Sequence, residues 1–354
     1  MTNFVFQNPT KLIFGKNSIS SLSGEISKEN RILITFGGGS VKNNGVYEQV
    51  INSLKGYTFF EFWGIEANPD IETLRKAIIL GKEKNCDFVL AVGGGSVIDG
   101  SKLIAAGIPY EGDAWEIVKK RDFTKEKVLP LGTVLTLPAT GSEMNAGAVI
   151  SNRIAKEKFA FYSRYPQFSI LDPLTTFTLP KFQIACGLAD TFIHVMEQYL
   201  TTPGQSPLMD RWSEGILQTI VEISPKVLSN PEDYDSMATF MLSATMALNG
   251  FVSMGVSQDW ATHMIGHELT ALHGLTHGHT LTILLPGTMW VMRKEKGDKI
   301  LQYGQRVWGI SGIDRELTIS KIIEKTEEFF RSLGLKTRLS ENGAGEETIN
   351  EIVR

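Results

Sequence analysis

Short apolar, β-branched runs alternate with amphipathic stretches along the first half of the chain. Two helix-like stretches, NNGVYEQVINSLKG and DIETLRKAIILGKEKN, repeat apolar residues every three or four positions, as helices with one buried face do. Strands separated by such helices pair in parallel, so the pattern predicts a doubly wound, mostly parallel sheet. The runs with the length and composition of buried strands are RILITF (31–36), TFFEFW (58–63), DFVLAV (87–92), LPLGTVLTL (129–137) and FSIL (168–171).

The pattern changes after Pro173. From about Lys181 onward the apolar positions follow helical spacing, as in MDRWSEGILQTIVEISPKVL and DYDSMATFMLSATMALNGF, and no convincing strand pattern is present. At 354 residues the chain also exceeds the size at which one hydrophobic core usually stops growing. We therefore expect an α/β domain over residues 1–177 and an all-helical domain over residues 178–354.

Composition narrows the class of protein. A hydrophobic content of 42% and a charged content of 21% are those of an ordinary globular protein. A net charge of −4 without a long basic block argues against nucleic-acid binding, and no apolar run is long enough to cross a bilayer. The N-terminus shows no secretory signal and only Cys86 and Cys186 are present, so we expect a cytoplasmic protein with both thiols packed in the core.

A GGGS cluster follows the first and the third of the predicted strands. Glycines let the backbone approach a phosphate, and the N-terminus of a following helix offers unpaired N–H groups. A plain strand-to-helix turn would have the same sequence. Neither cluster matches the G-x-G-x-x-G fingerprint of the standard dinucleotide fold. We interpret Ser96 as the N-cap of the next helix, with Asp99 three positions later completing a capping box. The clusters are Gly37, Gly38, Gly39 and Ser40, and Gly93, Gly94, Gly95 and Ser96.

A third polar segment, LPATGSEMN (137–145), follows the fourth predicted strand. Together with the end of that strand it offers the hydroxyls of Thr136, Thr140 and Ser142. Open α/β sheets bind ligands at the carboxyl ends of their strands, which makes this segment a candidate ligand contact. By itself it fits a plain Ser/Thr turn equally well.

Histidine is confined to one part of the chain. Asp190 and His194 are four residues apart, as are His263 and His267, and this spacing places each pair on one face of a helix. A carboxylate with several imidazoles suits a first-row divalent ion such as Zn²⁺ or Fe²⁺. Spacing alone does not choose among the later histidines, and Met264 excludes the zincin motif of metallopeptidases. The six histidines are His194, His263, His267, His273, His277 and His279.

Taken together, GGGSVIDGSK, LPATGSEMN, the Asp190–His194 pair and HMIGHELTALHGLTHGHTLTILLP resemble the iron-containing (group III) alcohol dehydrogenases. The branch that the chain resembles most is that of the NADPH-dependent butanol dehydrogenases and aldehyde reductases. The resemblance runs from VFQNPTKLIFG to about residue 335. It implies a dehydroquinate synthase-like dinucleotide-binding domain, a helical metal domain with the active site between the two, and a homodimer. It also implies metal-assisted hydride transfer between NADP(H) and a short- to medium-chain aldehyde or alcohol.

The resemblance implies roles for individual residues. His267 would lie beside the metal site as a proton-relay or cofactor-contacting residue, whereas His273 and His279 match no functional position. The sequence departs from the family pattern in two places. Thr276 stands where relatives often have an aspartate before the last ligand, and the sequence ends at INEIVR, earlier than is usual in this family. The implied metal ligands are Asp190, His194, His263 and His277. The implied cofactor-binding residues are Gly37, Gly38, Gly39, Ser40, Gly93, Gly94, Gly95, Ser96, Asp99, Thr136, Thr140, Ser142, Asn145 and Lys158.

The charge of the first glycine cluster bears on the cofactor. NAD-selective sites commonly place a carboxylate on the adenosine ribose 2′-hydroxyl, and that carboxylate would repel a 2′-phosphate. This chain has no acid between Glu29 and Glu48, and Ser40 and Lys42 could both receive a phosphate. The loop therefore predicts NADP(H) rather than NAD(H).

Two functions from other classes fit parts of the pattern. A lyase or synthase of the dehydroquinate synthase type uses a metal and a nicotinamide cofactor, but its polyanionic substrates need a Lys/Arg cluster that the helical half does not show. A histidine-rich metal-binding protein without catalysis would leave the glycine clusters unexplained. We therefore favour the dehydrogenase.

Overall fold

The structure, a computed structural model, describes residues 1–201 and 203–353. The strands are β1 (Lys11–Phe14), β2 (Arg31–Phe36), β3 (Thr58–Phe62), β4 (Phe88–Gly94), β5 (Leu131–Leu137), β6 (Gly147–Asn152), β7 (Glu157–Tyr162) and β8 (Phe168–Leu171). The helices are α1 (Leu22–Glu25), α2 (Val46–Ser53), α3 (Ile71–Glu83), α4 (Gly95–Gly107), α5 (Ala114–Lys120), α6 (Lys181–Tyr199), α7 (Pro207–Ser229), α8 (Tyr234–Ala247), α9 (Ala261–His273), α10 (His277–Val291), α11 (Arg293–Tyr303), α12 (Arg315–Ser332) and α13 (Glu346–Ile352).

The chain divides into two compact units. The sheet unit comprises Gln7–Leu179 and Pro231–Met241, and the helical unit comprises Met1–Phe6, Pro180–Asn230 and Leu242–Arg354. No helix in the described part of the chain is long and apolar enough to cross a membrane.

The sheet unit contains a six-stranded sheet in the order β1-β8-β5-β4-β2-β3, and every neighbouring pair in it is parallel. Helices join β2 to β3, β3 to β4 and β4 to β5, as the alternating pattern predicts. The predicted doubly wound sheet and the helical second half are confirmed.

The strand order reverses at β2. From β2 the chain moves outward to β3, then crosses back to β4 on the other side of β2 and continues to β5. The loops after β2 and β4 therefore leave the sheet in opposite directions, and such a switch point opens a crevice at the carboxyl ends of the strands. Both GGGS clusters lie at this switch point.

Two apolar clusters cover the two faces of the sheet. Leu33 of β2 packs in the cluster that includes α3, α4 and α5, whereas Ile32 and Ile34 pack in the cluster that includes α1 and α2. Successive residues of a strand point to opposite faces, so a strand buried on both sides reads as an uninterrupted apolar run. RILITF and DFVLAV are such runs.

Three strands were not predicted. β1 is a four-residue edge strand that pairs with β8, and β6 and β7 form an antiparallel hairpin. β1 has no buried residue, and the hairpin stands outside the main sheet. β1 is too short and too exposed to give an apolar run, and in the hairpin the core residues Ala148, Ile150 and Phe161 are interrupted by polar or partly exposed ones. The predicted ends of the central strands agree with the structure to within two residues.

Candidate metal centre and cofactor site

Three helices of the helical unit carry the predicted metal ligands. Asp190 and His194 lie one turn apart on α6, whose residues from Ile184 to Tyr199 are all buried. His263 lies in the first turn of α9, and His277 is the first residue of α10. A short loop between α9 and α10 returns the chain, so the two helices pack against each other and α10 packs on α6.

The ligand atoms surround one carboxylate oxygen. Oδ1 of Asp190 lies 3.7 Å from Nε2 of His194, 3.7 Å from Nε2 of His263 and 3.7 Å from Nε2 of His277. The ligand atoms of Asp190, His263 and His277 all lie within 4.8 Å of one another. His194 is outside that group of three but shares the contact with Asp190, and its ring stacks on that of His263 at 4.6 Å.

These distances fit a shared metal ion. Two ligand atoms that each lie about 2.1 Å from a tetrahedral ion are about 3.4 Å apart, which is close to the observed spacing. A distance of 3.7 Å is too long for a hydrogen bond. Nε2 of His263 is buried and has no hydrogen-bond partner among the residues that the structure describes. One carboxylate with imidazoles is a donor set for Zn²⁺ or Fe²⁺.

Glu197, which the sequence reasoning missed, supports this cluster from behind. It lies one turn after His194 on α6, is buried, and its Oε2 accepts a hydrogen bond from Nδ1 of His263. Burial lowers the pKa of His263, but the carboxylates of Asp190 and Glu197 outweigh burial and raise the pKa to about 9. A metal ion competes with that proton for Nε2. The sequence signal that could have found Glu197 is its spacing, because it follows His194 by three residues and so lies on the same side of α6 as Asp190 and His194.

The other histidines take different positions. His267 is buried on α9 with its ring 5.4 Å from that of His277, next to the cluster but outside the group around Asp190. His273 is exposed and its Nε2 lies 3.0 Å from Oγ1 of Thr348. His279 is buried against Phe182, and burial lowers the pKa of its imidazole.

The region around α4 of the sheet unit brings the second GGGS cluster and the LPATGSEMN segment together. Gly93 and Gly94 end β4 and the helix begins at Gly95, without an intervening loop. A Cβ on Gly95 would lie 2.3 Å from Oγ1 of Thr140, so only glycine allows this approach. The free N–H groups at the start of α4 suit a phosphate.

The predicted capping box is wrong. The N-cap of α4 is Gly94, and no side chain caps this helix. Ser96 lies inside the first turn, where its Oγ accepts a hydrogen bond from the Asn68 N–H at 3.3 Å. Asp99 instead accepts hydrogen bonds from Oγ of Ser142 at 2.5 Å and from the Val149 N–H at 2.9 Å. The backbone N–H groups that a cap would occupy are thus left for a ligand.

A buried lysine organises the LPATGSEMN segment. Nζ of Lys102 donates to Oγ of Ser142 at 2.8 Å, to Oδ1 of Asn145 at 3.1 Å and to the Gly147 carbonyl at 2.6 Å. Burial lowers the pKa of Lys102 to about 8, although the negative charges of Asp99 and Glu143 act to raise it. Burial likewise raises the pKa of Asp99. The network fixes three predicted cofactor contacts, Asp99, Ser142 and Asn145, in one cluster.

Further predicted contacts lie on neighbouring elements. Lys158 of β7 is buried and donates to Oδ1 of Asn68 at 2.9 Å, which links it through Asn68 to Ser96. Thr136 is buried near the end of β5. In the first GGGS cluster, Gly39 has φ 103° and caps a short 3₁₀ turn that contains Ser40.

Lys42 is held by an aromatic group. Its Nζ lies 4.0 Å from the ring centroid of Trp63, and both Trp63 and Tyr47 donate hydrogen bonds to the carboxylate of Glu61. A cation over an aromatic face is stabilised by about 0.5–1 kcal/mol at exposed sites. The ring of Trp63 therefore favours one position of the Lys42 ammonium beside the loop.

The parallel sheet with its switch point and the ligand cluster are the features expected of a nucleotide-binding enzyme with a metal centre, and the comparisons give the family. The family model described as iron-containing alcohol dehydrogenase matches residues 9–173, and the model of the C-terminal part of the same family matches residues 184–354. The chain belongs to the iron-containing alcohol dehydrogenase family, which is a family of oxidoreductases. The family predicted from the histidine and glycine segments is confirmed.

Individual relatives are similar over nearly their whole length. The NADPH-dependent aldehyde reductase YqhD of Escherichia coli (strain K12) is 48% identical, covering 100% of this chain and 92% of the relative. The probable NADH-dependent butanol dehydrogenase 1 of Bacillus subtilis (strain 168) is 43% identical, covering 99% and 92%. A crystal structure of E. coli K-12 YqhD superimposes with a TM-score of 0.98 at 48% identity, covering 99% of this chain and 91% of that one.

Proposed function

We propose that the protein is a metal-dependent, NADP(H)-linked alcohol dehydrogenase that acts as an aldehyde reductase on short- to medium-chain aldehydes. The observation that carries the proposal is the cluster in which Nε2 of His194, His263 and His277 each lie 3.7 Å from Oδ1 of Asp190. The family assignment and the name of the E. coli relative support the reaction type.

In the proposed reaction Asp190, His194, His263 and His277 hold one divalent ion. When bound, the ion acts as a Lewis acid on the carbonyl oxygen of the aldehyde. Four side chains would fill a tetrahedral ligand set, so the substrate oxygen would have to enter as a fifth donor, an expansion that catalytic zinc sites allow. His267, buried with its ring 5.4 Å from that of His277, is proposed as the residue that passes a proton to the product alcohol.

The sheet unit is proposed to bind the dinucleotide at its switch point. The start of α4 at Gly95 and Ser96 would receive the pyrophosphate, since its backbone N–H groups have no side-chain cap. Asp99 would lie close to the pyrophosphate, and Lys158 would be another cofactor contact. The nicotinamide end would be contacted by Thr136, Thr140, Ser142 and Asn145. The cofactor supplies the hydride, and these residues supply its orientation.

The preference for NADP(H) rests on the first GGGS cluster. Ser40 and Lys42 can donate hydrogen bonds to a 2′-phosphate, and Trp63 keeps the ammonium of Lys42 at the edge of the loop. Glu61, the nearby acid, accepts hydrogen bonds from Tyr47 and Trp63. The names of the relatives include both NADPH- and NADH-dependent enzymes, so the proposed preference rests on the loop and not on the family.

One assay tests the proposal. Purified protein should oxidise NADPH with butyraldehyde, lose this activity after chelation, and regain it with Fe²⁺ or Zn²⁺. NADPH should give a higher kcat/KM than NADH, and reduction of butyraldehyde should be more efficient than oxidation of butanol at about pH 7. Activity that survives complete metal removal would refute the metal role, and comparable efficiencies in both directions would refute the reductase assignment.

We also propose that the protein is a cytoplasmic homodimer, on the resemblance to its family. Light scattering of the purified protein tests the dimer: a mass near twice the 39.2 kDa of the chain is expected, and a monomer would contradict the proposal.

A further inference from the structure

Glu197 makes an unusual set of contacts for a buried acid. Its Oε1 accepts a hydrogen bond from the Thr262 N–H at 2.6 Å, and its Oε2 accepts one from the His263 N–H at 3.2 Å and another from Nδ1 of His263. All three donors belong to the first turn of α9, whereas Glu197 lies on α6 with only 5% of its surface exposed. A buried carboxylate needs such donors, because an unpartnered charge in the interior is strongly destabilising.

We propose that Glu197 is a positioning residue for the metal centre: it fixes the tautomer and the ring orientation of His263 so that Nε2 is directed at the ion. The inference rests on the proposed metal site. It adds a residue that neither ligates the ion nor is expected to touch substrate or cofactor.

The tautomer follows from the chemistry of the acceptor. A carboxylate can only accept hydrogen bonds, so Nδ1 of His263 must carry the proton in the contact with Glu197. A neutral imidazole has one such proton, which leaves the lone pair of Nε2 for the metal. Nε2 is the nitrogen that lies 3.7 Å from Oδ1 of Asp190, and it has no hydrogen-bond partner among the described residues. Carboxylate–histidine–metal triads of this kind raise the basicity of the ligand.

The backbone contacts fix the position of the ring as well as its tautomer. The side chain of Trp260, the N-cap residue of α9, does not cap the helix. Glu197 instead accepts hydrogen bonds from two of the N–H groups at this helix start. A negative charge at a helix N-terminus is also favourable because of the helix dipole. One side chain therefore ties the helix that carries Asp190 and His194 to the helix that carries His263.

The chain offers a matched control. Asp259 accepts a hydrogen bond from the Ala261 N–H at 3.0 Å and pairs with Lys296, so it too stabilises the start of α9. Among the described residues no hydrogen bond or ion pair joins Asp259 to His263. Asp259→Asn and Glu197→Gln thus remove one carboxylate charge each from the same helix terminus, but only the second change reaches a metal ligand.

The test measures Zn²⁺ affinity by competition with a chromophoric chelator, on full-length protein whose fold is checked by circular dichroism. Glu197→Gln should bind Zn²⁺ about 10- to 100-fold more weakly than the wild type, because an amide presents only one acceptor oxygen to the three donors. Asp259→Asn should stay within about threefold of the wild type. A Glu197→Gln affinity within threefold of the wild type, or an equal loss in Asp259→Asn, would overturn the proposal.

A second measurement needs no variant and covers the case in which Glu197→Gln fails to fold. Histidine-selective ¹⁵N labelling of the Zn²⁺-bound wild type should show His263 protonated at Nδ1 and coordinated through Nε2. Coordination through Nδ1 would overturn the inference. A wild type that does not bind Zn²⁺ or Fe²⁺ would instead overturn the proposed function itself.

Discussion

Gly278 is the position where one methyl group should damage the metal centre most selectively. It follows His277 in the first turn of α10, and it packs against Cys186, which lies one turn before Asp190 on α6. A Cβ at Gly278 would lie 2.4 Å from the carbonyl oxygen of Cys186 and 3.1 Å from its Cβ. The nearest obstacle is the backbone carbonyl of Cys186 in the buried part of α6, and rotating a side chain cannot remove it.

The structure sets the size of the effect of Gly278→Ala. Side-chain Cβ atoms do not approach other heavy atoms closer than about 3.0 Å, so α10 and α6 must separate by about 0.6 Å or more at this point. Metal–ligand distances tolerate changes of only about 0.2 Å, and His277 moves with its neighbour. We expect Zn²⁺ binding at least about tenfold weaker, and an overpacking cost of about 1–3 kcal/mol in the stability of the protein.

Gly287→Ala is the matched control, because Gly287 lies on the same helix with nothing near its Cβ position among the described residues. It should leave Zn²⁺ affinity unchanged and stabilise the helix by about 0.5–1 kcal/mol. Chelator competition gives the affinities, and thermal unfolding with and without Zn²⁺ gives the stabilities. Wild-type affinity in Gly278→Ala, with an unchanged melting temperature, would refute the reasoning from close packing.

The cofactor loop, the candidate ligands and the buried lysine each give another test. Gly39→Asp should shift the ratio of kcat/KM values toward NADH relative to Gly39→Asn, since both variants share the strain at φ 103° and differ in charge; equal ratios would contradict this. His263→Ala should abolish Zn²⁺ binding while His267→Ala retains the metal; metal analysis showing the reverse would overturn the ligand assignment. Burial lowers the pKa of Lys102 from 10.5 to about 8, so the unfolded chain binds the additional proton and stability rises between pH 8 and pH 10.5. Lys102→Met should reduce this rise by up to about 3 kcal/mol in urea unfolding, and parallel pH profiles for the two proteins would count against it.

The sequence predicts the central sheet well because strands covered on both faces have an unmistakable composition. RILITF and FSIL coincide with β2 and β8. The edge strand β1 and the hairpin of β6 and β7 escape the same reasoning, since their side chains are partly exposed and their pairing depends on distant partners. The Ser96 error has a similar origin: the residues of a capping box were present, but β4 continues to Gly94 and the helix begins two residues too early for Ser96 to cap it.

The histidine spacing predicts a metal site but does not choose its ligands. From His263 to the end of α9 at His273 the helix rises about 15 Å. The next three residues turn the chain back toward the middle of α9 before α10 begins at His277. His277 therefore arrives with its ring at similar distances from those of His263 and His267, 5.2 Å and 5.4 Å. The position of α6 distinguishes His263 from His267, because Asp190 of α6 lies near Nε2 of His263 and Glu197 of α6 accepts a hydrogen bond from its Nδ1. That contact is long-range and no local pattern encodes it.

Burial of α6 determines which partners the polar side chains of this site can have. Sixteen consecutive residues of the helix are buried, so it has no polar face from which function could be read. Within that run Asp190, His194 and Glu197 recur at intervals of four and three, which places them on one side of the helix. Polar side chains that remain on a helix otherwise surrounded by core must find partners inside the protein. Here those partners are the imidazoles of α9 and α10, so the residues that cost the most to bury are the ones that define the metal centre.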